Sequence, residues 1–304
     1  MGSSTGGLVV SIVNQKGGVG KSVSATNLAA CLADRSKKIL FIDADYQGNG
    51  STQLGVKSKA IKSRKFLSMG LIEGTPASSL IVNSDFPNLN CIVADPELCE
   101  FNARRSYLPT APSIMRKWLS EIKDDYDYIV VDTHPELGLM FQNVMVASDY
   151  YIIPLFAEPE SVEGLHLIFN HIGLIQEELN RTLTLLGCLI TKYDKDIKTH
   201  QNFLQEIEDF GKKKGMPVIG IIPLTKALAT ASANRIPMSR WKKHLPVSKA
   251  YEKLADSVIA NVKPFKKGRV AKTPAISKRA VDGFMESVES SLGIEISTSA
   301  ELDI

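Results

Sequence analysis

Between residues 13 and 27 the chain reads VNQKGGVGKSVSATN, and the spacing of its glycines, lysines and hydroxyls suits phosphate chemistry. Gly17, Gly18 and Gly20 can adopt backbone angles that turn successive amides toward an anion. A helix starting near Lys21 would add positive potential, Lys21 would reach terminal phosphates, and the Ser22 hydroxyl could ligate Mg²⁺. The stretch follows the phosphate-loop template G-x-x-x-x-G-K-[ST], with Gln15 in place of the first glycine and a lysine, Lys16, that the template does not require. Two further stretches are apolar runs that end in acids. FIDADYQGN carries Asp43 and Asp45 two residues apart and so facing the same way. YIVVDTHPELG carries Asp132, in the layout of an acid that holds Mg²⁺ through water.

These residues need strands to place them at one edge. Apolar, β-branched runs at 8–14, 38–43, 89–94, 126–132, 149–155, 183–191 and 217–223 read as buried strands. Segments such as SATNLAACLADRS and PSIMRKWLSEIKDDY, apolar at three-to-four-residue spacing, read as helices between them. Near-continuous apolar strands alternating with helices predict an α/β fold: a mostly parallel, twisted sheet of seven or eight strands, covered on both faces. A ligand then belongs at the carboxyl ends of the strands. Residues 56–88 are less regular and read as loops with short helices.

The 304 residues carry 36 basic and 33 acidic side chains, a net charge of +3, and are 44% hydrophobic. That is an ordinary globular composition, and no apolar run is long enough to span a membrane, so a cytoplasmic protein is expected. Residues 1–7 read as a flexible leader, 8–262 as the main domain, and 263–304 as an appended tail. In the tail, residues 263–281 hold seven basic residues and no acid, and 282–304 hold six acids and no base. An amphipathic helix is expected at 280–292, with Ala280, Val281, Phe284, Met285, Val288 and Leu292 on one face and acids on the other. Its acidic polar face disfavours anionic lipid and favours packing on the body or on a partner helix. Cys31, Cys91, Cys99 and Cys188 lack metal-ligand spacing and read as reduced core thiols.

Lys16 to Ser22, K-G-G-V-G-K-S, resembles the deviant Walker A motif of the ParA/MinD superfamily of P-loop ATPases, and the motifs that follow resemble its ParA branch. The resemblance implies a three-layer P-loop fold binding ATP and Mg²⁺, with nucleotide contacts from Gly17, Gly18, Val19, Gly20, Lys21, Ser22 and Val23. It implies that Lys16 crosses a homodimer interface to the partner's phosphates while Lys21 acts in its own subunit. The family's D-x-D-P-Q-x-N motif maps its water-orienting aspartate onto Asp45, with Gln47 and Asn49 matching and Tyr46 replacing the usual proline. Ser22, Asp45 and Asp132 are the implied metal residues. His134 stands where the family has a small residue or proline. Glu163 to Leu165 match the family's E-G-L, and Pro223 matches the position whose loop packs the adenine.

The segment 234–254 carries Arg235, Arg240, Lys242, Lys243, Lys249 and Lys253 against one acid, with Trp241 among them. Such a cluster suits sequence-independent contact with DNA phosphates, which needs charge and no base readout. The resemblance implies the same. It also implies slow intrinsic hydrolysis, stimulation by a ParB-like or other cargo adaptor, nucleoid association, and partition of a plasmid or chromosome or positioning of another large cargo. A MinD-like membrane-cycling ATPase is the alternative, and it would want a basic amphipathic terminal helix. An electron-transfer ATPase would need a cluster cysteine just after Asp132, and there is none.

Overall fold

The computed structural model describes residues 6–162, 164–264 and 277–292. Leader residues 1–5, Glu163, most of the basic run 263–281 and the acidic run beyond 292 lie outside the described residues, as does the Leu292 side chain. Eight strands form one sheet: β1 (Leu8–Ile12), β2 (Ile39–Ala44), β3 (Val82–Asn83), β4 (Leu89–Ile92), β5 (Tyr128–Thr133), β6 (Tyr150–Phe156), β7 (Thr184–Tyr193) and β8 (Val218–Pro223). Their order is β3-β4-β2-β5-β1-β6-β7-β8, and only β3–β4 pairs antiparallel. This is the helix-flanked, mostly parallel sheet expected from the strand composition. β3 alone went unforeseen, because two residues have no periodicity to read.

Helix α1 (Lys21–Asp34) follows β1. α2 (Asn49–Gln53), α3 (Lys57–Ser63) and α4 (Leu67–Leu71) follow β2, and α5 (Phe101–Arg105) and α6 (Ile114–Leu119) follow β4. α7 (Leu139–Ala147), α8 (Leu165–Glu178) and α9 (Lys198–Lys214) follow β5, β6 and β7 in turn. After β8 come α10 (Ala227–Ala233), α11 (Met238–Trp241), α12 (Pro246–Asn261) and α13 (Lys278–Leu292).

Alternation along each strand divides the core between the two faces. Ile39 and Phe41 of β2 pack in one cluster with Leu28 and Leu32 of α1 and Tyr251 and Leu254 of α12. Leu40 and Ile42 pack in the other with Trp118, Val144, Phe169 and Phe203. α1 runs between the sheet and α12 and is buried along most of its length, which explains why its sequence is alanine-rich with little amphipathic contrast. The chain leaves β1 between β5 and β6 and returns as β2 on the far side of β5, so the crevice at the carboxyl end of β1 is the sheet's switch point.

The terminal helix α13 lies on α9 and α8 of the same chain. Val281, Phe284, Met285 and Val288 are buried, and the Phe284 ring meets Phe203 and Phe210 edge-on at centroid distances of 6.1 and 5.1 Å. Ser287 donates a 2.8 Å hydrogen bond to Glu206, while Asp282 and Glu286 face solvent. Removing the anchor, Phe284→Ala, is expected to cost about 3 kcal/mol at this contact. Amide exchange should rise across 278–292 relative to the sheet, and unchanged protection there would show that α13 is held by something else.

Candidate active site

The loop between β1 and α1 is tied down from β6 and β7, the next two strands on one side of β1. The Val13 amide donates to Ile152 O at 3.0 Å, and the Asn14 side chain donates to Pro154 O at 2.7 Å while its own oxygen accepts the Lys16 amide at 2.9 Å. One strand further along, the Thr191 hydroxyl of β7 is shared between Val19 O at 3.0 Å and Leu155 O at 3.1 Å. Gly18 and Gly20 take φ of 73° and 88°, in the left-handed region that glycine enters without strain. Gly17 and Gly18 are exposed, and no atom lies within 4 Å of where a Cβ would stand on either, so the loop offers bare backbone to a ligand.

Around this loop charge is gathered out of water. Lys21 is buried at the start of α1, with its Nζ on Lys16 O at 3.0 Å. Burial pulls its pKa below the usual lysine value, against the opposing pull of Asp132 and Asp45. Asp43 and Asp132 are partners in the β2–β5 register and are both fully buried. Asp43 is well supplied: its Oδ2 accepts the Ser51 amide and hydroxyl, each at 2.7 Å, and its Oδ1 accepts the Asp45 amide at 3.3 Å. Burial still pushes its carboxyl up to about 6. Neither oxygen of Asp132 has a well-formed hydrogen bond, and the Ser22 hydroxyl is the donor beside it. Burial, then the neighbouring Asp43 charge, raise its pKa well above the carboxylate range, with Ser22 and Lys21 acting against them.

Asp45 sits just past β2, nearly buried. Its Oδ1 accepts the Gln47 amide at 3.0 Å and lies 3.9 Å from Nε2 of His134. Lys16 lines an open hollow with Gln15, Pro135, Glu136, Leu137 and Gly164. Val19 is buried under the loop, Val23 is half-buried on α1, and Pro223 ends β8 at the same edge of the sheet. The structure thus brings the loop, Asp45 and Asp132 to one edge of the sheet.

The basic candidates are less uniform. Arg235, Lys242, Lys243 and Lys249 are exposed. Arg240 is not a free cation: it pairs with Asp34 at 2.5 Å, with its guanidinium carbon 5.4 Å from the centre of the Phe86 ring. The sequence reading missed a second basic element. Residues 46–72 contain Lys57, Lys59, Lys62, Arg64 and Lys65 and no acid, and residues 210–251 contain no acid either. The fold joins the two stretches where Arg235 packs on Gly55 beside Lys57 and Ile61. The cysteines also differ from expectation. Cys31, Cys91 and Cys188 are buried thiols, but Cys99 is exposed because it sits on the short turn Pro96–Glu100 outside the sheet.

A family model described as an AAA domain matches residues 7–185, more than half of the chain. The sporulation initiation inhibitor protein Soj of Bacillus subtilis (strain 168) is 31% identical over 257 residues, covering 84% of this chain and 99% of that protein. The chain belongs to the ParA/Soj family of P-loop ATPases. Two solved structures share this ParA-type fold. A putative plasmid partition protein from Borrelia burgdorferi B31 bound to AMPPNP has a TM-score of 0.71 at 28% identity, covering 84% of this chain and 100% of that one. Cobyrinic acid a,c-diamide synthase from Mycobacterium smegmatis, with bound ATP analog and magnesium, has a TM-score of 0.74 at 25% identity, covering 88% and 98%.

The site of this ParA-family chain fits nucleotide and Mg²⁺ on its own geometry. Asp132 has two buried oxygens without a well-formed hydrogen bond, Ser22 offers a hydroxyl beside it, and Gly17 and Gly18 leave room for phosphates. Among the described residues no group of three or more His, Cys, Asp or Glu is arranged to hold a metal alone. Mg²⁺ does not need one, because it is commonly bound by one or two protein oxygens plus phosphates and water. Asn14 and Thr191 escaped the sequence reading, since their partners lie 140 and 172 residues away.

The Asp43 shift carries a sign. Folded Asp43 keeps its proton up to about 6, whereas the unfolded chain releases it near 3.8. Across that window the folded state binds more protons, so stability falls as pH rises and stays reduced above it. Asp43→Asn removes the loss. The nucleotide-free variant is expected to melt higher than wild type at about pH 7, with the difference vanishing toward about pH 4. A variant melting lower at pH 7 would contradict the assignment.

Proposed function

We propose that this ParA-type ATPase dimerises on binding ATP, binds DNA without sequence preference, and hydrolyses ATP slowly until a ParB-like or other cargo adaptor stimulates it. It would thereby partition a plasmid or chromosome, or position another large cargo, working on the nucleoid in the cytoplasm. The observation that carries this reading is the division between the two loop lysines: Lys21 is folded into its own site, and Lys16 lines an open hollow at the surface. A cation so placed serves phosphates brought up from outside, which a second copy of the chain supplies.

In this reading Gly17, Gly18, Val19, Gly20, Lys21, Ser22 and Val23 cradle the phosphates, and the loop at Pro223 packs the base. Ser22 and Asp132 hold Mg²⁺, which neutralises phosphate charge when bound. Asp45 orients the attacking water. Phosphoryl transfer depends mainly on positioning and charge neutralisation, and these residues supply both. Among the described residues Asp45 is the one acid assigned to the attacking water, which suits slow intrinsic hydrolysis.

The reading of DNA contact rests on charge. Arg235, Lys242, Lys243 and Lys249, joined by Lys62 and Arg64 of the second acid-free stretch, form a surface suited to a phosphate backbone. Membrane cycling finds less support. The apolar side of α13 is spent on α8 and α9, its outer side is acidic, and no helix among the described residues is long and apolar enough to cross a membrane.

Retention of a nonspecific duplex is expected with ATP and not with ADP or without nucleotide, and Lys16→Gln should abolish it. Retention that ignores nucleotide, or that survives in the variant, would contradict the coupling of dimer, nucleotide and DNA. The double reversal Lys242→Glu/Lys243→Glu should weaken retention and flatten its salt dependence by about one log unit per lost phosphate contact. Salt-independent weakening would argue for a folding defect.

A further inference from the structure

The two positions where this chain departs from the family pattern beside the catalytic loops, Tyr46 and His134, touch each other. Their rings stack with centroids 4.3 Å apart and planes 28° from parallel. They also wall a hollow of about 240 Å³ with Ala44, Leu98, Phe101 and Leu139. Tyr46 belongs to the turn that carries Asp45, and His134 to the loop after Asp132, so the stack bridges the two acidic loops.

The imidazole is oriented by its polar contacts. Nδ1 accepts the Glu136 backbone amide at 3.3 Å, while the Glu136 carboxylate, 78% exposed, stands 3.8 Å from the same nitrogen. With Nδ1 acting as acceptor, the ring proton sits on Nε2. That nitrogen lies 3.9 Å from Oδ1 of Asp45, the oxygen already held by the Gln47 amide at 3.0 Å. The gap is longer than a hydrogen bond. A modest turn of either terminal torsion closes it, and these are soft for both Asp and His. Catalytic contacts in nucleotide-free sites are often long and tighten only with substrate.

We propose that His134, seated on Tyr46, is a positioning residue for Asp45. Its Nε2–H and the Gln47 amide both take Oδ1, which fixes the carboxylate plane and leaves Oδ2 for the attacking water. The proposal rests on the reading of Asp45 as the water-orienting acid and adds to it a residue that the family motif does not contain. His134 acts only through Asp45, so its loss should lower kcat with KM unchanged.

The test is steady-state hydrolysis at varied Mg·ATP with four substitutions. His134→Phe keeps a ring to stack on Tyr46 and lacks the donor. His134→Asn can satisfy the Glu136 amide and is too short to reach Asp45. Both should lose about 10-fold in kcat at unchanged KM, while His134→Gln, with a donor at the reach of Nε2, should stay within about 3-fold of wild type. In an Asp45→Ala background, His134→Asn should cost nothing further, because the group it positions is gone. Wild-type kcat in both Phe and Asn variants, or Gln as slow as Asn while Asp45→Ala is inactive, would overturn the inference and leave the reading of Asp45 standing. Undiminished hydrolysis by Asp45→Ala would overturn both. Should His134→Phe fail to fold, the Asn and Gln pair carries the comparison.

Discussion

A carboxyl group sealed from water without a well-formed hydrogen bond is a costly arrangement for a protein to hold, and Asp132 is one, set beside a second buried acid, Asp43. The arrangement follows from the topology. Parallel strands β2 and β5 end in register, so an acid at the end of each must share one edge with the phosphate loop. Asp43 is satisfied from within by Ser51. Asp132 is left facing Ser22 and Lys21, and Lys21 is itself short of water. Burial thus pulls acids and lysine alike toward their neutral forms, and a divalent cation and phosphates would favour their charged forms again.

The same helix that begins at Lys21 also carries the basic surface. Asn27 of α1 accepts the Met238 amide at 2.8 Å, Asp34 holds Arg240, and Arg35 just past the helix pairs with Asp256 at 2.5 Å and donates to Glu252 O at 2.7 Å. Ser24 lies 3.4 Å from the buried hydroxyl of Tyr251. α11 and α12 are therefore fastened to the helix whose first turn closes the phosphate loop. Arg240 helps fasten them, which is why a residue that reads as a phosphate contact in the sequence is spent on an ion pair.

Much of this was legible in the sequence for definite reasons. Gly18 and Gly20 occupy left-handed angles that few other residues tolerate, so their spacing betrays the loop. Asp132 ends a strand too apolar to be anything but buried. Lys21 and Ser22 followed from their spacing relative to the glycines, and Asp45 from the resemblance of FIDADYQGN to the family motif. Asn14 and Thr191 did not, because they are ordinary residues whose importance lies in partners far along the chain. The docking of α13 was open for the same kind of reason: its amphipathic pattern shows that a face is covered, and only the fold shows that Phe203 and Phe210 cover it. The stack of Tyr46 on His134 joins two loops that no local pattern connects.

The most direct test of this account is calorimetric titration of nucleotide into wild type and Asp132→Asn, each with and without Mg²⁺. If Asp132 is a seat kept for the cation, Mg²⁺ strengthens nucleotide binding markedly in wild type, and most of that gain is lost in the variant, which should still bind nucleotide without Mg²⁺. Equal gains from Mg²⁺ in both proteins would contradict the account and leave the buried charge of Asp132 without a function.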